Sequence, residues 1–88
     1  MSVVDGIAEV RRGHLAALAR EVEARGLGWR FAGPDASLLA VYDPGARRRV
    51  IVVATPAGDT WTYLWPGGGM ADATAPATAA AQLARLLT

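Results

Sequence analysis

The chain has no cysteine, no lysine and no asparagine, and it carries a single histidine. Without cysteine there can be no disulfide, no thiolate nucleophile and no cysteine-based metal site. All nine basic residues are arginine, and with the abundance of alanine and glycine this composition reads as that of a GC-rich bacterial genome. Charge of either sign is also scarce. Charged residues make up 19% against 52% hydrophobic, and the net charge is +1. That balance excludes a global electrostatic footprint for nucleic acid or membrane surfaces. It is also unusually apolar for a small monomer, which points to a second copy or another protein as a source of extra cover. The N-terminal stretch MSVVDGIAEVRRGH is charged from Asp5 onward and lacks a long apolar run, so neither a signal peptide nor a membrane span is expected there. A cytoplasmic protein is the expectation.

The 88 residues are expected to form one domain, for which a self-sufficient core is marginal. Its centre is the run Val50-Ile51-Val52-Val53-Ala54, preceded by Arg47-Arg48-Arg49 and stopped by Thr55-Pro56-Ala57-Gly58. Side chains alternate faces along a strand, so Val50 and Val52 oppose Ile51 and Val53. Both sides are apolar, so both faces of the sheet need cover at this point.

Before it, residues 2–25 read as an amphipathic helix. Ser2 and Asp5 form a capping-box-like start, and Gly26 ends the helix. Val3, Ile7, Val10, His14, Leu18 and Val22 form the apolar stripe, with Leu15 and Ala17 beside it and Arg11 mostly on another face. Gly13 is read as allowing close approach to a sheet. Leu27–Ala32 is a first strand, and Gly33-Pro34-Asp35 a turn. Ala36–Tyr42 is a second strand, apolar on both faces. Asp43-Pro44-Gly45-Ala46 predicts a tight type II hairpin with the positive φ at Gly45. The third strand covers Arg47–Ala54. Thr55–Asp59 is a turn, and Thr60–Trp65 a fourth strand with Trp61, Tyr63 and Trp65 on one face. Pro66-Gly67-Gly68-Gly69 breaks the chain. A last helix over Ala77–Leu87 follows, with Pro76 in its first turn and Asp72 or Thr74 as its N-cap.

The expected fold is therefore α+β: a four-stranded antiparallel meander flanked by N- and C-terminal helices, with strands two and three innermost. Two helices can cover one face. The other would then leave in water either the Leu39/Val41 and Ile51/Val53 sets or their alternates, an unusual patch for a monomer.

No constellation of residues points to catalysis. His14 has no HxxxH or carboxylate cluster around it, and reads as a packed or boundary residue. Ser2 and Ser37 are the only serines, and the carboxylates fall at caps, turns and helix surfaces. Neither a catalytic residue, a metal site nor a cofactor is assigned. Gly67-Gly68-Gly69, between a strand and a helix, resembles a phosphate loop in outline. It lacks the lysine of one fingerprint, and Asp72 takes the place of the third glycine of the other. The aromatic strand suggests base stacking only in a basic groove, and Asp35, Asp43 and Asp59 adjoin it, so nucleic acid is not the expected partner. The arginine triplet reads as split between faces, with Arg48 opposite Arg47 and Arg49.

The ending GDTWTYLWPGGGM before an alanine-rich helix resembles short uncharacterised proteins of high-GC Gram-positive bacteria, whose Trp-rich last strand ends in W-P-x-G. The resemblance covers about the last third of the chain. It implies an α-β4-α arrangement and carries over no activity and no functional residue. By architecture alone the chain also resembles dimeric secretion-chaperone-like proteins.

The expected function is a non-enzymatic interaction module, most simply a homodimer, assembling through an apolar sheet face or through the first helix. Its interface residues would come from Val50, Ile51, Val52 and Val53, with Trp61, Tyr63 and Trp65 as anchors. The alternative is a small-ligand binder with a pocket between strand 60–65, the Gly67–Gly69 loop and the helices.

Overall fold

A computed structural model describes the backbone of residues 3–45 and 47–88, and side chains from residue 6 onward. The Ser2 cap, the Asp5 side chain and Ala46 of the expected hairpin lie outside the described residues. The described chain runs α1 (Val3–Ala24), β1 (Gly28–Ala32), a short 3-10 turn (Pro34–Ala36), β2 (Leu38–Tyr42), β3 (Arg49–Ala57), β4 (Thr60–Trp65), β5 (Gly69–Asp72) and α2 (Pro76–Leu87). The strands form one antiparallel sheet in the order β1-β2-β3-β4-β5. The α+β class, the meander and the terminal helices are as expected, but the sheet has five strands rather than four.

The fifth strand comes from the glycine run. Pro66-Gly67-Gly68 is a tight reversal with φ of 91° at Gly67 and 84° at Gly68, and it returns Gly69 opposite Trp65. Gly-Met-Ala-Asp has little strand propensity of its own, so the pairing with β4 makes it a strand. Gly69 is required by contact as well. A Cβ there would run into the Trp65 indole, which lies across the glycine. The same device recurs at β1, where Gly28 pairs with Tyr42 and takes its ring.

Other boundaries shift for local reasons. β3 continues through Pro56, which the sequence reading placed in a turn. β2 pairs with β3 only as far as Val53, so one edge of β3 is unpaired beyond it and tolerates a residue without an N–H. The turn itself is Gly58-Asp59, with Gly58 first at φ 67°, the order favoured in two-residue hairpins. In the β2–β3 connection the positive φ falls on Arg47 (60°) rather than Gly45, whose N–H is bound by Asp43 Oδ1 at 2.9 Å. The α2 N-cap is Ala75, without a side-chain cap. Asp72, expected as a cap, ends β5 and accepts hydrogen bonds from the Thr74 N–H and hydroxyl, both at 2.8 Å.

Both helices lie on one face of the sheet. The core unites Leu15, Leu18, Ala19 and Val22 of α1 with Ala79, Ala80, Leu83 and Leu87 of α2. The sheet contributes Leu39, Val41, Val52, Ala54, Tyr63, Trp65 and Ala71, all of one parity. The alanines of α2 let it approach α1 and β5 closely. Among the described residues the buried stripe of α1 is narrower than its pattern suggests and falls in the C-terminal half: Ile7 and Val10 are 39% and 45% exposed. Gly13, expected to face the sheet, points to solvent with nothing near its missing Cβ.

Two substitutions test this account by urea denaturation. Gly13→Ala should stabilise by about 0.5–1 kcal/mol, because a helix-interior glycine is relieved in open space. Gly69→Ala should destabilise by about 1–3 kcal/mol, because Trp65 must leave its place.

Candidate functional site

The covered face explains where most of the aromatic residues go. Tyr63 is fully buried, and its hydroxyl donates to the His14 backbone carbonyl of α1 at 2.6 Å. Burial pushes the Tyr63 hydroxyl up to about 12. A phenolate there would lose hydration and could no longer donate to the helix. Beside it, Trp61 is half-buried under α1. The Arg11 guanidinium lies 5.7 Å from its ring centre and His14 packs against it at 5.2 Å. Arg11 Nε also donates to the Ala54 carbonyl at 2.9 Å, so this arginine belongs to the sheet-facing side of α1 rather than its outer face. At the first strand Trp29 packs edge-on against Phe31 at 5.7 Å and donates to Glu23 at 3.1 Å. His14 is thus a boundary residue packed at a tilt against an indole.

The interface residues named from sequence divide between the two faces. Val50, Val52, Trp61, Tyr63 and Trp65 lie on the helix-covered side, where Val52 and Tyr63 are fully buried and Trp65 is 9% exposed. Ile51 and Val53 lie on the other. The register also regroups the strands: Leu39 pairs with Val52 and Val41 with Val50, so Leu39 and Val41 share the covered face and Leu38 and Ala40 share the open one. Across the open face the register aligns Leu38, Val53, Leu64 and Met70 in one row, with Ala40 and Ile51 in the next. None of the described elements packs over these rows. Leu38, Ile51, Val53 and Leu64 are half-buried by their neighbours alone, and Met70 is 62% exposed.

Within this face, Leu38, Ile51, Val53, Leu64, Trp65 and the Pro66–Gly68 turn border an open groove of about 430 Å³. The glycine loop therefore joins an apolar groove on the uncovered side, not a pocket between the aromatic strand and the helices. Gly67, Gly68 and Gly69 lead into β5, and α2 begins only at Pro76. The strand-loop-helix outline that suggested an anion at these glycines is not formed here.

At one end of the open face, Tyr42 and Arg49 are paired and Arg30 lies on the neighbouring strand. At the other, Thr62 pairs with Asp72. Hydrogen bonds from the Thr74 backbone and hydroxyl hold the Asp72 carboxyl below its usual range. Among the described residues no group of acidic, histidine or cysteine side chains could hold a metal ion, and no helix is long and apolar enough to cross a membrane. No family model, curated protein or solved structure matches the chain.

The sequence identified the doubly apolar strands but not which parity the helices take. The signal that could have decided it is the aromatic strand. Trp61, Tyr63 and Trp65 are its largest apolar groups, so their parity is the one that gains most from two helices.

Tyr63 gives a pH test. Its folded-state value lies above the unfolded value of about 10. Its contribution is therefore complete below pH 10 and lost as pH rises through about 12. Denaturant midpoints should fall across that window by a stability on the order of 2 kcal/mol, and the fall should be reduced in Tyr63→Phe. Absorbance titration of a Tyr42→Phe protein isolates the Tyr63 phenol directly, and half-ionisation near pH 10 in the folded state would contradict the burial.

Proposed function

We propose that this chain is a non-enzymatic interaction module of the cytoplasm that pairs with a second copy of itself through the open face of its sheet. The observation that carries the reading is the row Leu38–Val53–Leu64–Met70 with Ile51 beside it, uncovered by any described element. Ile51 and Val53 are the central contacts, and the covered residues Val50, Val52, Trp61, Tyr63 and Trp65 support the face from beneath. Antiparallel sheets stack face to face at about 10 Å with their apolar rows interdigitated, which suits a self-complementary two-fold contact.

The size of the face sets the strength. Five strands about 4.8 Å apart, with roughly five residues each rising about 3.3 Å, give a footprint on the order of 400 Å² per copy. A standard stable interface takes about 800 Å² from each partner. The contact is accordingly a small one, of the kind that weak and reversible associations use.

The groove beside the glycine turn favours a second reading, a small-ligand binder whose apolar ligand rests on Leu38, Ile51, Val53 and Leu64 near Trp65. It predicts a change in tryptophan emission on titration with apolar or anionic metabolites, at protein concentrations below those of pairing.

Light scattering over a range from low to high micromolar concentration separates the two. The pairing reading expects the apparent mass to rise toward twice the chain mass. Ile51→Asp and Leu64→Asp should abolish the rise, weakening association at least tenfold while leaving the far-ultraviolet circular dichroism unchanged. A chain that stays monomeric at high micromolar concentration would sink the homodimer.

A further inference from the structure

A second surface is built of charge. Arg30 of β1, Arg47 and Arg48 before β3, and Arg49 at its first residue all border one concavity of about 420 Å³, with Tyr42, Asp43 and Pro44. Strict strand alternation would turn Arg48 away from its neighbours. The chain avoids this because β3 begins only at Arg49, and Arg47 sits in the left-handed region at φ 60°. An arginine there costs roughly 1–2 kcal/mol of backbone strain. The result is four arginines bordering one hollow, an arrangement that self-repulsion opposes.

Among the described residues none of the four is in an ion pair within 4.0 Å, and a single carboxylate, Asp43, borders the same hollow. The one ion pair within 4.0 Å among the described residues, Arg25–Glu21, is at the C-terminal end of α1, and Asp43 has Oδ1 engaged by the Gly45 N–H. By contrast, Arg11, Arg12 and Arg25 each donate to protein oxygens. The four arginines of the hollow are exposed, and among the described residues none of their side chains donates to a protein oxygen.

From this geometry we infer that the hollow formed by Arg30, Arg47, Arg48 and Arg49 binds a compact, multiply charged phosphate chain. Arginine forks match phosphate oxygens bidentately, and several of them around one site favour a ligand with several adjoining charges over a single carboxylate. A long nucleic acid fits poorly. Asp35, Asp59 and Asp72 lie elsewhere in turns and at the sheet edge, and the net charge of +1 leaves no basic track. Trp61 and Trp65, which bases would stack on, lie on the helix-covered face. The hollow adjoins the open face, with Arg30 in the row of Ala40 and Ile51, so binding is read on the monomer, where its outcome is separate from that of pairing.

Isothermal titration of the whole chain, at a concentration where it is monomeric, tests it with inorganic tripolyphosphate, ATP, orthophosphate and a single-stranded oligonucleotide. Tripolyphosphate and ATP should bind at least tenfold more tightly than orthophosphate. Equal affinity for the two makes the phosphate chain the whole ligand, whereas tighter ATP adds a nucleoside contact, and both uphold the site. Arg47→Gln with Arg49→Gln, or Arg30→Gln with Arg48→Gln, should weaken tripolyphosphate at least tenfold. Arg20→Gln on the outer face of α1 should change it less than twofold. The inference is overturned if tripolyphosphate shows no binding at millimolar concentration. Double variants that bind like the parent, an equal loss in Arg20→Gln, or an oligonucleotide bound tenfold more tightly than tripolyphosphate would each overturn it too.

Discussion

A strand whose alternate residues are apolar on both sides cannot be shielded from one side only, and in this chain both helices go to the same side. The Tyr63 hydroxyl holds α1 to that side through the His14 carbonyl, and the small face of α2 closes against α1 and β5. Once the Trp61–Tyr63–Trp65 parity is under the helices, the register dictates everything else. Val50 and Val52 follow it inward with Leu39 and Val41, while Ile51, Val53, Leu38 and Leu64 must turn outward. The uncovered apolar rows are thus a consequence of strand parity and of both helices packing on the same side of the sheet.

The two ends of the open face differ in character, and local backbone choices make the difference. The αL conformation of Arg47 delays the start of β3 and gathers arginines at one end. The tight Gly67-Gly68 reversal, on the same end of the meander as the β2–β3 connection, adds β5, which brings Met70 onto the face and carries Asp72 to its opposite end. Neither device belongs to the core, and both shape the surface that a partner or ligand would meet.

The elements that were legible in the sequence are those with strong internal periodicity: α1, the first four strands, and α2. Their order and antiparallel pairing followed from short connections. β5 was not legible because Gly-Met-Ala-Asp carries no strand pattern; its conformation is imposed by β4 and by the Trp65 ring lying on Gly69. The extension of β3 through Pro56 was hidden because proline reads as a stop, whereas an unpaired strand edge accepts it. Arg11 read as a solvated charge, yet the Ala54 carbonyl and the Trp61 ring draw it onto the sheet. For the candidate site, the sequence singled out the doubly apolar strand and left its two parities open. It read the arginine triplet as divided because strand alternation was extended two residues too far. Packing across 40 or more residues of chain decides such points, as it does for Tyr63 and His14, and no local pattern encodes it.

The most direct test of one-sided cover is solvent paramagnetic relaxation of methyl groups, measured by NMR with a soluble gadolinium chelate at a concentration where the chain is monomeric. Ile51, Val53, Leu38 and Leu64 should relax strongly, while Leu39, Val41, Val52 and Leu83 remain protected. Equal protection of both sets in the monomer would mean that the chain covers its own sheet on both faces, and the account would be wrong.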